Sequence, residues 1–112
     1  MHELSIAYNI VEIVIDSVKE NNGESVSRVE LLVGEASGVV IEALLTAMDS
    51  AVKQTLLENA KIEIIPVPSK LKCISCGKII KSKELFVLCP ECNSFTEVIE
   101  GKELKIKSIE IN

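Results

Sequence analysis

The stretch Cys73-Ile-Ser-Cys76-Gly77, answered by Cys89-Pro-Glu-Cys92-Asn93 with twelve residues between the pairs, sets the architecture expected of this 112-residue chain. These are its only four cysteines. Two residues between ligands let a tight turn aim both sulfurs at one ion, while amides of the turn donate to the thiolates. The residue after the second cysteine of each pair often needs a positive φ, and glycine and asparagine tolerate that best. Two such knuckles make a tetrahedral sulfur site, the arrangement that Zn(II) favours in closed structural positions. Four thiolates leave no open coordination position, so such a zinc is structural and not catalytic. The rivals are two disulfides, a redox CxxC and a rubredoxin-type iron. No secretion signal supports disulfides, and a redox pair usually opens a helix in a thioredoxin-like unit. Iron shares the CPxC knuckle, but an aromatic content of 3% leaves little to shield it.

Upstream of the cysteines, Lys61 to Val67 reads as a strand, and Pro66 and Pro68 place it at a sheet edge or send it out of the sheet. Before it, a helix is predicted after Ser37 as N-cap, with Ile41, Leu44, Leu45, Met48, Val52 and Leu56 on its apolar face. Ser25 to Val33 alternates as a strand ended by Gly34, with Val29, Leu31 and Val33 on one face. From Glu3 to about Asn21, Leu4, Ala7, Ile10, Val11, Val14 and Val18 recur at helical spacing until Asn21-Asn22-Gly23 stops the run. Downstream, Glu103 to Ile111 is a further strand. Leu104 and Ile106 share one phase while Ile109 and Ile111 share the other, so a bulge is expected near Lys107–Ser108, or a strand covered on both faces. The order implies an α+β fold: two helices packed on a three-stranded sheet, with an inserted four-cysteine, zinc-ribbon-like module. Residues 1–69 and 95–112 would form the body, and residues 70–94 the module.

The chain has 47% apolar and 26% charged residues, an ordinary profile for a soluble globular protein. Its net charge of -5 is unevenly placed: residues 70–94 carry +3 and the remainder -8. An acidic body disfavours phosphate backbones, and few aromatics disfavour a single-stranded nucleic-acid platform. The locally basic module suits an acidic protein surface, although zinc on four thiolates would reduce its excess to about +1. No signal peptide and no membrane-spanning run are visible, so a cytoplasmic location with reduced cysteines is expected.

The one histidine of the chain is His2. A bulky second residue is expected to keep Met1 in place. The α-amine of Met1, the amide of His2 and its imidazole can then close fused chelate rings. Three nitrogens in one plane suit Cu(II) or Ni(II), and a fourth donor must come from elsewhere. Glu3 is a neighbour better suited to supply a backbone atom or an outer acceptor than a soft ligand. An exposed histidine on a frayed terminus is the bland alternative, and spacing alone does not dispose of it. Affinity at such a site rises with pH, because amine and imidazole must first lose protons.

The opening Met1-His2-Glu3-Leu4-Ser5, the run Val33-Gly34-Glu35-Ala36-Ser37-Gly38-Val39, Glu42-Ala43-Leu44, the two CxxC pairs and the closing Gly101-Lys102-Glu103-Leu104-Lys105-Ile106-Lys107-Ser108-Ile109-Glu110 resemble the HypA/HybF family of hydrogenase maturation nickel chaperones. The resemblance spans nearly the whole chain in order. It implies Ni(II) binding through Met1, His2 and Glu3, and a structural Zn(II) on Cys73, Cys76, Cys89 and Cys92. It also implies a protein that is not an enzyme, working with a HypB-type GTPase to supply the hydrogenase large subunit and, in some members, urease. Two features depart from the family: Ile41 stands where many relatives have proline, and the second helix lacks the aromatics common there. The alternative class is a zinc-ribbon adaptor for a protein or nucleic-acid partner with no nickel role. A hydrolase using metal-activated water finds no paired acid and base and no open zinc position here.

Overall fold

The computed structural model describes residues 3–82 and 87–112. Helix α1 runs from Glu3 to Glu20 and buries Ile6, Ala7, Ile10, Val11, Val14 and Val18. Leu4, expected on that face, is 46% exposed, and Ile6 takes the inward position. The helix ends where the sequence says: Asn22 adopts φ 54°, and the Gly23 amide donates to the Val18 carbonyl at 2.8 Å. A left-handed residue just past the last turn lets the chain satisfy carbonyls that the helix leaves open.

Strand β1 (Val26–Gly34) then passes through the centre of the first sheet, in the order β2-β1-β6. β2 (Lys61–Val67) lies parallel to β1, and β6 (Leu104–Ile111) lies antiparallel on its other side. Pro66 therefore sits on an edge strand, where its missing N–H interrupts no second ladder. β1 buries Val29, Leu31 and Val33 as the alternation requires. Along β6 the pairing steps from Glu30↔Ser108 to Leu31↔Ile106, which leaves Lys107 as the extra residue of a bulge. That bulge brings Ile106 and Ile109 onto the same core despite their opposite phases.

Helix α2 spans Ile41–Ala51 and buries Leu44, Ala47, Met48 and Ala51. Its start corrects the expected cap. Ser37 does not cap the helix; its hydroxyl accepts the Val39 amide at 3.2 Å, because Gly38 at φ +81° turns the chain first. Val40 occupies the N-cap with no side-chain bond. Its end also falls earlier than expected: Gln54 takes φ 62°, so Leu57 is fully buried while Leu56 is 39% exposed. Both helices cover one face of the sheet, and the core lies between them.

The second sheet has the order β4-β3-β5, all antiparallel, built from β3 (Lys70–Cys73), β4 (Ile79–Lys81) and β5 (Thr96–Glu100). It runs past Ser94, where the sequence reading ended the insert, to Glu100. Short strands rich in lysine and glutamate carry too little apolar alternation to announce themselves.

The chain crosses between the sheets twice, and both crossings are clasped to the end of β1. The Gly34 amide donates to the Glu103 carbonyl at 2.6 Å, Glu35 to Val67 at 2.9 Å and Ala36 to Gly101 at 2.7 Å. Ser69 is buried in this clasp, and its hydroxyl donates to the Ser82 carbonyl. Gly101, at φ +102°, lies so close that a Cβ there would stand 2.5 Å from Ser69 Cα. A side chain on Gly34 would likewise fall on the Gly101 carbonyl.

Candidate metal centre

The two knuckles grow directly out of the second sheet. In the first, the Cys73 amide donates to the Lys78 carbonyl at 2.9 Å and the Gly77 amide to the Cys73 carbonyl at 3.1 Å. In the second, the Cys89 amide donates to Ser94 at 2.9 Å and the Asn93 amide to Cys89 at 2.9 Å. The two turns are thus built alike. Gly77 (φ 77°) and Asn93 (φ 57°) supply the left-handed step in each, as the residue types foretell.

This geometry gathers the four sulfurs within 4.8 Å of one another. Cys73 and Cys92 are 3.2 Å apart, and Cys76 and Cys89 are 3.7 Å apart. Sulfurs around a tetrahedral zinc at about 2.3 Å stand roughly 3.8 Å from each other, so the cluster has the dimensions of a tetrahedral thiolate site. All four cysteines are free of disulfides. Among the described residues this is the one group of three or more candidate ligands gathered around a point.

The amides are placed for thiolates. Those of Ser75 and Cys76 both lie 3.4 Å from Cys73 Sγ, and the Cys76 amide leads in drawing the Cys73 thiol below its ordinary value. The Ser94 hydroxyl, followed by the Cys73 thiol, draws Cys92 down to about 6. Cys76 moves the other way: the Lys78 amide favours its thiolate, but neighbouring sulfurs and burial outweigh it and push the group up to about 12. Like charges this close cannot all ionise alone, and a divalent cation at their centre would remove the conflict. The donor set therefore fits zinc. Histidine is absent from the cluster, which is all sulfur.

Lys78 and Glu91 were not singled out by sequence reasoning, yet their 3.0 Å ion pair ties one knuckle to the other. Their positions, two residues after Cys76 and one before Cys92, were the available signal. The pair is largely exposed and adds orientation more than stability.

The N-terminal candidates are only partly within view. Met1 and His2 lie outside the described residues, whereas Glu3 opens α1. Glu3 and Leu4 form one wall of an open cleft of about 540 Å³, and Glu42, Thr46 and Ser50 of α2 form the other. Glu42 adds a second carboxylate to that cleft. Among the described residues, no helix is long and apolar enough to cross a membrane.

Comparison with known proteins extends over the whole chain. A family model described as hydrogenase/urease nickel incorporation, metallochaperone, HypA, matches residues 1–111. The hydrogenase maturation factor HypA of Crocosphaera subtropica is 41% identical over 112 residues, covering 99% of this chain and 96% of that protein. The protein of the same name from Parabacteroides distasonis is also 41% identical, covering 99% of this chain and 97% of its own length. The solution structure of the Ni metallochaperone HypA from Helicobacter pylori superposes with a TM-score of 0.71 at 24% identity, covering 99% of this chain and 97% of that one. At that identity the structural match speaks for the fold.

Proposed function

From the premise that this chain belongs to the HypA family of metallochaperones for hydrogenase and urease nickel incorporation, we propose that it takes Ni(II) at its N-terminus and passes it on for [NiFe]-hydrogenase maturation. The observation that carries this reading is a family match over residues 1–111, a span that includes the chain's single histidine, His2. The Met1 amine, the His2 amide and the His2 imidazole supply a planar set of nitrogens, the donor geometry that Ni(II) accepts. Glu3 adds a carboxylate beside that set, on the first turn of α1 and at the wall of the cleft it shares with Glu42.

The cargo is held by the first residues of the chain and leaves by ligand exchange. No covalent bond of the protein is made or broken, and the chain acts as a carrier, not an enzyme. Zinc on Cys73, Cys76, Cys89 and Cys92 would fix the shape of the second sheet and the Lys78–Glu91 pair between its knuckles. That sheet and the turns that border it, with Ile79 exposed on β4 and Ile74 and Phe95 exposed just beyond β3 and before β5, offer a docking surface for a HypB-type GTPase or the hydrogenase large subunit. Urease supply is a further destination within the same reading. Exchange of this kind suits the cytoplasm, where thiols stay reduced.

Calorimetric titration of untagged protein with Ni(II) tests the proposal. The His2→Ala chain loses at least about tenfold in affinity because imidazole is a main donor, while its circular dichroism stays unchanged. Equal Ni(II) binding by the two chains would remove the terminal site and with it the carrier mechanism.

A further inference from the structure

The four sulfurs are not equivalent. In each knuckle the first cysteine is sealed and the second is open: Cys73 is 1% and Cys89 2% exposed, whereas Cys76 and Cys92 are both exposed. Position in the turn accounts for the difference. Cys73 closes β3, and its main-chain N–H and C=O both bond within the turn. Cys89 is anchored in the same way by Ser94 and Asn93. Cys76 and Cys92 stand on the outer limbs, next to the left-handed residues Gly77 and Asn93. A Cβ at Gly77 would meet nothing within 4 Å, so that limb borders open space.

Thiolates react in proportion to their access as well as their basicity. From this asymmetry we propose that Cys76 and Cys92 form a peroxide-reactive edge, a site at which oxidation joins these two sulfurs and releases the metal. The inference rests on the zinc reading given above. One exposed thiolate attacks a peroxide oxygen; the O–O bond breaks, hydroxide leaves, and the sulfur becomes a sulfenic acid. The second exposed thiolate attacks that sulfur and expels a second hydroxide, so an S–S bond forms. Two thiolates have lost two electrons, and one hydrogen peroxide has been reduced to two hydroxides.

The sulfurs begin within 4.8 Å of each other and must close to about 2.05 Å, a motion that the outer limbs can make while the anchored first cysteines stay in place. Cys73 and Cys89 alone would offer two of four ligands, too few to hold zinc in a closed site. The second sheet would lose its clamp in one step, and a thiol reductant would restore it.

The test uses the intact chain with its zinc content measured beforehand. Hydrogen peroxide is added at one equivalent, released zinc is followed with a chromogenic chelator, and disulfides are mapped by mass spectrometry. In parallel, N-ethylmaleimide labelling of the untreated protein gives the order of reaction without any variant. The expected result is zinc release together with a Cys76–Cys92 disulfide, and labelling at Cys76 and Cys92 at least about tenfold faster than at Cys73 and Cys89. Cys73 and Cys92, 3.2 Å apart, and Cys76 and Cys89, 3.7 Å apart, are the rival pairs; a first disulfide that includes Cys73 or Cys89, or first labelling at either, overturns the proposal and leaves the zinc reading standing. A chain that takes up no zinc when zinc is supplied overturns both.

Discussion

Replacing Gly101 with alanine is the most demanding test of how the two sheets are joined. At φ +102° an L side chain is strained on backbone grounds alone, a cost of about 1–3 kcal/mol. The added Cβ would also stand 2.5 Å from Ser69 Cα and 3.0 Å from Ser69 N. Those are main-chain atoms of the other crossing, not the far end of a flexible side chain, so the backbone must shift. Overpacking of that kind costs about 1–3 kcal/mol more. Gly38→Ala provides the control, because Gly38 is also left-handed (φ +81°) but a Cβ there meets nothing within 4 Å. It should lose only the strain, about 1–2 kcal/mol. The expected difference between the variants is therefore about 2 kcal/mol, a large part of a small domain's stability. Urea unfolding followed by circular dichroism measures it. Should Gly101→Ala unfold at the same midpoint as Gly38→Ala, the tight approach of the two crossings is not what holds the sheets together.

Three further outcomes are expected. Removing zinc with a chelator should erase the dispersed amide resonances of residues 70–82 and 87–100 and leave those of β1, β2 and β6, because metal binding supplies the folding free energy of such a small sheet; an unchanged spectrum contradicts this. Lys61, together with Arg28, holds the Glu63 carboxyl below its ordinary range. Its stabilising effect is full above the unfolded value of about 4.3 and is lost as pH falls through the lower folded value. Glu63→Gln should consequently melt below the parent chain at pH 7 and converge with it once pH falls below that lowered folded value, and a gap in melting temperature that does not change with pH would dismiss the ion pair. Nickel affinity should climb as pH rises, because the imidazole and the α-amine must shed their protons before they coordinate; a flat calorimetric profile argues against nitrogen donors.

The sequence carried the parts of the fold that depend on local pattern. The phase change between Ile106 and Ile109 leaves a bulge or a doubly covered strand open, and the pairing decides for a bulge at Lys107. The Cys-x-x-Cys-Gly and Cys-x-x-Cys-Asn spacing implied two knuckles, and the positive φ of Gly77 and Asn93 completes them. Features set by tertiary competition were not legible. Ser37 has the chemistry of a helix cap, but Gly38 turns the chain before the helix can begin, and the hydroxyl serves that turn instead. Leu56 and Leu57 are adjacent leucines; which one enters the core depends on the left-handed turn at Gln54, and nothing in hydropathy separates them. β5 belongs with the cysteines because its partner is β3, a long-range pairing that the short run Thr96–Glu100 does not advertise. The exposure of Cys76 and Cys92 likewise depends on how the knuckles sit on their sheet.

The clasp at the end of β1 has a consequence for how such chains can diverge. Val67 is registered with Gly34 on one side of β1, and Leu104 with Val33 on the other. Two strand spacings separate those departure points, about 10 Å, a gap that a link of three or four residues can bridge. The buried residues of the main core lie at or before Leu57, and its remaining packing partners lie at or before Ile64 or at and beyond Ile106. The cysteine hairpin is therefore a cartridge plugged into a body whose hydrophobic interior closes without it, open to lengthening, shortening or replacement by a different ribbon.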